Sequence, residues 1–492
     1  MRYDAAIIGT GADGLAAAAT LAKSGLKVIV LERNEQPGGR CITRQFHPGY
    51  FASPFCDELP PIPAEIFWSL DLARHGAIFV PSQVSTGLWS DRAVSTRPSA
   101  NDARAESKAF AAAALKLAET RIAPQRKRLF GARSAEKVDE WPGDAWATRS
   151  LTDVLAANSS NQDVIALAMA DALQGRTAHP DLMGSALHLL SPGAGGSGLV
   201  IGGLQSLTNA LVSAAESAGA EISCGLEVTD VRRKSGKIIG ARLADGTEIA
   251  ARAIISTLDL KRTFLSLFAW SDLPKDVSSH VGSFRMVGSA ARLLFALDRL
   301  PQKPSFAEDD LFAGPIHLEP MSSERGAVYA MWREGAVAKN LPISLRFISA
   351  TDPRSCPAGA ATMTATVGGV PVRLFDGSWT HEKRDALREQ VFAAIERVLP
   401  DVAACVRACD VIVPPDVEDA LGCTDGDLRG GEIASDQMLG FRPWFGSAPP
   451  RTPIDGLYLA GPSTSAGLLG TCAAGVFAGR AIVADFEAGI LK

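Results

Sequence analysis

No window of the chain approaches the roughly 18 consecutive apolar residues that a membrane-spanning helix needs, so no spanning segment is expected. Basic charge is also scarce. Lysine and arginine total 49 against 54 acidic residues, a formal net charge of −5, which leaves no positive field for nucleic acid. The eight cysteines, at 41, 56, 224, 356, 405, 409, 423 and 472, include no C-x-x-C pair, and they are expected to be reduced and structural. The seven histidines form neither H-x-x-H nor H-E-x-x-H, so no metal site is expected. Nor is a leader expected. Met1-Arg2-Tyr3 runs at once into the strand-like Ala5-Ala6-Ile7-Ile8, and a cytoplasmic protein is the expectation.

What is present is a chain of 492 residues, too long for one compact core, so two or more domains are expected. After the first strand come Gly9, Gly11 and Gly14, then an Ala/Leu-rich helix closed by Gly25. A second apolar strand, Leu26 to Leu31, ends at Glu32, 18 residues past Gly14. Each glycine has its own work in such a unit. The first makes the tight turn, the second lets a pyrophosphate approach the backbone, and the third lets helix and strand pack closely. The free N–H groups at the start of the helix face the phosphates. Glu32, at the strand tip, is placed to accept ribose hydroxyls and disfavours a 2′-phosphate. This fingerprint does not by itself separate one dinucleotide from another.

Further along, Ala-rich sequence from Pro98 to Gly131 reads as a surface helix, with Arg126-Lys127-Arg128 as its solvated end or a membrane-surface or acidic-ligand patch, the former favoured. Ser191 to Gly198 is a Gly-rich loop. From Gly219 to Leu258 short strands are joined by turns at Lys234-Ser235-Gly236 and Asp245-Gly246, and Ala253 to Thr257 has buried parallel-strand character. Residues 275–410 differ. Strand patterns recur at Ala291–Leu297, Leu341–Ser349 and Thr362–Val367, and two helical runs are expected between His381 and Leu399. The C-terminal stretch from Thr452 returns to strand, Gly-loop and helix. The expected fold is α/β: a Rossmann-type domain in pieces, 1–80, 195–270 and 415–492, with a strand-rich substrate domain and helical insert, 81–194 and 271–414, threaded through it.

Gly38-Gly39-Arg40 followed by Thr43 resembles the G-G-R-x-x-T that follows the nucleotide-binding unit in FAD-dependent amine oxidases and desaturases. With "HPGYFASP" at 47–54, "IGGLQSLTNAL" at 201–211, "PPDVEDALGCTDGDLRGGEIASDQM" at 414–438 and "RTPIDGLYLAG" at 451–461, the chain resembles the phytoene desaturase-like FAD oxidoreductases over almost its whole length. The resemblance implies FAD as cofactor. It implies contacts to FAD from Gly9, Gly11, Ala12, Asp13, Gly14, Glu32, Arg33, Gly38, Gly39, Arg40 and Thr43. Val228 would read the adenine edge, Gly461 would lie beside the pyrophosphate and ribityl, and Leu469 and Gly470 would reach the flavin edge. Ser465-Ala466-Gly467-Leu468-Leu469 stands where many relatives carry His-Pro-Gly-Gly-Gly.

The resemblance also implies hydride transfer between a substrate C–H and flavin N5. The expected reaction is desaturation, or the reverse saturation, of a hydrophobic or alicyclic small molecule, with oxygen, a quinone or another carrier as electron acceptor. Glu432, Asp436, Arg442 and His47 are the candidate catalytic residues. Asp436 and Arg442 are also readable as a structural pair, and His47 as an ordinary loop histidine. The alternatives are a flavin amine oxidase, since G-G-R-x-x-T is shared with that group, and a redox-neutral polyene isomerase or non-catalytic lipid-binding protein on the same scaffold. Membrane-surface contact is not favoured, because the candidate helix after Asp102 offers mostly alanine to a lipid surface.

Overall fold

The computed structural model describes residues 2–60, 62–82, 85–88, 93–95, 146–190, 198–307, 309–318, 324–438, 441–443, 450–464, 467 and 472–491. The Ala-rich stretch with Arg126-Lys127-Arg128, most of the Gly-rich loop after Ser191, Leu469 and Gly470 lie outside the described residues.

β1 (Arg2–Ile8), α1 (Ala12–Lys23) and β2 (Val28–Leu31) form the expected strand–helix–strand unit. Helix α2 (Leu204–Ser217) packs beside α1, and β3 (Glu248–Ser256) lies parallel to β1. β4 (Leu457–Leu459) extends the sheet along the far half of β3, and α3 (Ala473–Glu487) closes it. This first sheet has seven strands among the described residues, with the antiparallel pair Val228–Lys234 and Lys237–Leu243 on one side and Glu221–Ser223 on the other. Its parallel strands are buried on both faces, which is why β1 and β2 read as unbroken apolar runs. Ala5, Ile7, Val28 and Val30 face the three helices, whereas Tyr3, Ala6, Ile8, Ile29 and Leu31 face the opposite core.

Small residues bring the helices close. A Cβ on Gly14 would stand 2.2 Å from the Gly9 carbonyl oxygen, and one on Gly475 only 1.8 Å from that of Asp13. Backbone therefore lies on backbone where α1 meets both β1 and α3. Asp485 of α3 accepts the Tyr458 hydroxyl at 2.5 Å and the Arg451 guanidinium at 2.7 and 2.9 Å, which ties this helix to β4.

A second seven-stranded sheet runs Val406–Ile412, Ala290–Leu297, Ala361–Gly368, Ile343–Phe347, Ile316–Leu318, Thr86–Leu88, Ala93–Ser95. The strand pattern of residues 275–410 is thus realised. The helical part is one helix, His381–Glu396, rather than two runs. Its Leu387, Val391 and Ile395 pack on Leu293, Phe295, Leu345, Met363 and Ala365. Because side chains alternate along a strand, Arg292, Arg346, Thr364 and Thr366 fall on the other face.

All eight cysteines are free, as expected, and no group of metal-ligating side chains forms among the described residues. Among those residues no helix is long and apolar enough to cross a membrane.

Candidate active site

Ten of the residues singled out in the sequence meet in one groove at the carboxyl ends of β1, β2 and β3. They are Gly9, Gly11, Ala12, Asp13, Glu32, Arg33, Gly39, Arg40, Val228 and Gly461, around a volume of about 250 Å³. The glycines define its floor. A Cβ at Gly11 would meet no protein atom within 4 Å, so it would project into the open groove. Gly39, with φ of +55°, comes so close that its Cβ would lie 3.3 Å from Gly11 Cα. Gly461 is pressed against the Thr257 and Leu258 carbonyls, its Cβ position 2.6 Å from each oxygen. Bare backbone over a helix N-terminus is what a pyrophosphate requires. An acid at the strand tip and a basic Arg40 complete a donor set that fits FAD.

Three of the predicted cofactor residues act from behind the groove. Gly14 sits under the first turn. Gly38 (φ +135°) donates its N–H to the Thr10 hydroxyl at 3.1 Å. The Thr43 hydroxyl accepts the Gln205 N–H at 3.3 Å, at the start of α2. None of the three lines the groove.

Glu32 does more than its position in the fingerprint implies. Its carboxylate accepts the Thr10 N–H at 2.9 Å, the Thr10 hydroxyl at 2.6 Å and the Asn34 N–H at 3.0 Å. Thr10 in turn holds Gly38, so a single carboxylate knits the first Gly loop to the second. A carboxylate has about four acceptor positions, which leaves one open toward the groove.

Asp13 lies at the start of α1, where its carboxylate accepts the Gly475 N–H at 3.2 Å. Burial pushes its carboxyl up to about 6, against the opposing pull of the Arg40 guanidinium and the Gly475 and Ala474 N–H groups. The folded protein therefore holds a proton here that the unfolded chain, with an ordinary value of 3.8, has already lost. Stability from this group is present below about pH 4, falls by up to about 3 kcal/mol as pH rises to 6, and is constant above. An anion bound in the groove would strengthen the preference for the protonated form. Asp13→Asn is expected to flatten the pH 4–6 slope in thermal melts and to improve FAD retention at pH 8. An unchanged slope would show that Asp13 titrates normally.

A second cavity, of about 460 Å³, adjoins the groove, and the two share Arg40, Asp427 and Leu428. Its wall mixes apolar side chains, among them Phe55, Leu59, Phe284, Met286 and Ile433, with an unusual density of charge. Three of its ion pairs are Arg292–Asp57 at 2.6 Å, Arg346–Glu58 at 2.9 Å and Arg285–Glu432. Arg176, Arg429 and His188 also face the space.

The four predicted catalytic residues do not converge. Glu432 alone lines this cavity, and its carboxylate is engaged by Arg285. Asp436 is mostly exposed and takes both terminal nitrogens of Arg285 at 2.6 and 2.8 Å. This pairing holds its carboxyl below the usual range, which suits an ion pair and not a base. Asp436 and Arg442 are not a pair. Arg442, 1% exposed, donates to the carbonyls of Arg429, Gly430 and Pro462 at 3.0 Å each, pinning two loops together. His47 packs against Tyr50, ring centroids 5.5 Å apart, and lines neither cavity.

The carboxylate that does stand at the junction is Asp427, which sequence reading passed over. It accepts the backbone N–H groups of Arg429 at 2.8 Å and Gly431 at 2.9 Å, and burial raises its pKa. Glycines at 426, 430 and 431, all with positive φ, bracket it. That cluster was the available signal, since such turns are built where backbone must wrap around a buried acceptor.

The family described as flavin containing amine oxidoreductase matches residues 178–485. The NAD(P)-binding Rossmann-like domain matches residues 7–72. Pyridine nucleotide-disulfide oxidoreductase domain-containing protein 2 of Mus musculus is 26% identical over 93% of this chain and 89% of its own. The neurosporene-forming phytoene desaturase of Rhodobacter capsulatus is 26% identical over 54% of this chain and 49% of its own. Cyclohexylamine oxidase from Brevibacterium oxydans has a similar fold, with a TM-score of 0.61 at 16% identity, over 99% of this chain and 100% of that one.

Proposed function

The chain belongs to the family of flavin-containing amine oxidoreductases, with FAD as its cofactor, and from that premise we propose that it dehydrogenates a C–C bond of a small, partly apolar, alicyclic molecule held in the larger cavity. FAD, when bound, supplies the two-electron acceptor, taking a hydride from one substrate carbon at N5. The chain must then bind the molecule, exclude water and remove a proton from the neighbouring carbon, so that the electrons of that C–H bond become the second bond of the alkene.

Asp427 is assigned the proton. It borders both cavities, and its raised pKa brings the carboxyl nearer the range in which it can hold a proton after taking it. Its two backbone N–H contacts fix the direction in which it faces. Phe55, Leu59, Phe284 and Met286 give the substrate an apolar bed. Oxygen, a quinone or another carrier takes the electrons onward.

The observation that favours carbon over nitrogen as the site of oxidation is the charge of the wall. Asp57, Glu58 and Glu432 are matched by arginines, and Arg176 and Arg429 stand beyond those pairs. A substrate ammonium would meet these guanidiniums. Anaerobic bleaching of the flavin by alicyclic compounds, polyenes and amines tests the proposal. Alicyclic compounds are expected to bleach fastest, and Asp427→Asn to slow bleaching by roughly 10²–10⁴-fold at unchanged FAD content. Fastest bleaching by amines would overturn the assignment.

A further inference from the structure

We propose that the substrate is an organic acid, and that Arg176 and Arg429 receive its carboxylate. This inference rests on the larger cavity being the substrate site. Arg176 is 5% exposed. Its NH1 donates to the Ala172 carbonyl at 3.2 Å, while Nε and NH2 have no partner among the described residues. Arg429 borders the same space, with its NH2 3.9 Å from where a Cβ on Gly175, the neighbour of Arg176, would stand. His188 is equally buried, its Nδ1 without a partner, and burial beside the two guanidiniums pushes the ring down to about 3. The imidazole is therefore neutral and adds a donor without charge.

Two guanidiniums thus share a buried corner. The acid nearest in charge is Asp427, and its oxygens already accept the N–H groups of Arg429 and Gly431. Arg442 adds a third positive charge close enough to depress Arg176 further, and its NH2 is held by the Arg429, Gly430 and Pro462 carbonyls. One carboxylate against three guanidiniums leaves the corner positive, and buried guanidinium donors left unmatched are costly. The anion they call for is not the cofactor pyrophosphate, because none of Arg176, Arg429 and His188 lines the nucleotide groove. A planar two-oxygen carboxylate matches the forked geometry of a guanidinium.

Binding can be read without turnover. Cyclohexanecarboxylate and cyclohexanecarboxamide, equal in shape and different in charge, are titrated into the FAD-loaded protein by calorimetry and by the visible difference spectrum. The acid is expected to bind at least tenfold more tightly than the amide. Arg176→Met and Arg429→Met should each remove most of that preference, while Arg333→Met, at an exposed position on the same wall, should leave it intact. Equal binding of acid and amide by the unmodified protein overturns the proposal, and so does a preference that survives Arg176→Met. Should Arg176→Met fail to fold, Arg176→Gln takes its place, and a preference that survives Arg176→Gln overturns the proposal in the same way. A failure of the dehydrogenation reading shows separately, as acids that bind and never bleach the flavin.

Discussion

Gly11→Ala is expected to fold as well as the parent and to bind FAD roughly 5- to 150-fold more weakly. Gly11 precedes α1 with φ of −58° and ψ of 165°, backbone angles that alanine adopts freely. The added methyl touches no protein atom. The lower entropy of the unfolded chain and the weaker helix start act in opposite directions, so apo stability should change by no more than about 0.5 kcal/mol. The methyl does, however, enter the open groove over the helix N-terminus, the place proposed for the pyrophosphate. Forcing one methyl into a filled site costs about 1–3 kcal/mol, which is the stated fold-change in Kd. Gly14→Ala is the contrasting variant, because its Cβ would stand 2.2 Å from the Gly9 oxygen and would disturb the fold itself. Apo melting temperature and flavin fluorescence titration separate the two effects. Full FAD affinity in Gly11→Ala would place the pyrophosphate elsewhere.

Asp57→Ala is expected to destabilise the protein by about 3–5 kcal/mol in urea unfolding. Arg292 and Asp57 are paired through both terminal nitrogens, at 2.6 and 2.9 Å, with side chains only 6% and 10% exposed. Asp57 also accepts the Thr364 hydroxyl at 2.8 Å, and Arg292 donates to the Thr366 hydroxyl and the Ser53 carbonyl. Removing the carboxylate leaves a buried guanidinium without its counter-charge. Removing both charges, as in Asp57→Leu with Arg292→Met, should restore more than half of the loss, since desolvation of the pair is then avoided. A loss below about 1 kcal/mol in the single variant would mean that water reaches Arg292 freely.

The contrast between these two sites explains what could be read from sequence. The β1–α1–β2 unit is local. Its glycines, its apolar strands and Glu32 lie within the first 32 residues, and the geometry that ties them together repeats with fixed spacing. Three strands of the second sheet, at Ala291–Leu297, Leu341–Ser349 and Thr362–Val367, were also visible, because alternation is local too, whereas the short strands Thr86–Leu88, Ala93–Ser95 and Ile316–Leu318 carry too few residues to show it. What escaped was pairing across distance. Arg285 reaches Asp436 over 151 positions and Arg292 reaches Asp57 over 235, and nothing in either stretch marks its partner. Asp436 and Arg442 looked like a pair only because they are close in the chain. Thr10 escaped for a different reason: the fingerprint counts glycines, whereas the hydroxyl between two of them carries the link from Glu32 to Gly38.

The first sheet takes its strands from residues 2–31, 221–256 and 457–459, and this has a consequence for how the protein is made. A ribosome delivers Gly9 and Glu32 early, but Gly461 of the same groove follows only about 430 residues later. At roughly 5–20 residues per second, the nascent β1–α1–β2 unit waits some 20–90 s for the strand and helix that complete its site. Throughout that interval the alanine face of α1 that α3 later covers is open to water and to chaperones. FAD supplied during translation should therefore be captured only after Gly461 and α3 have left the ribosome.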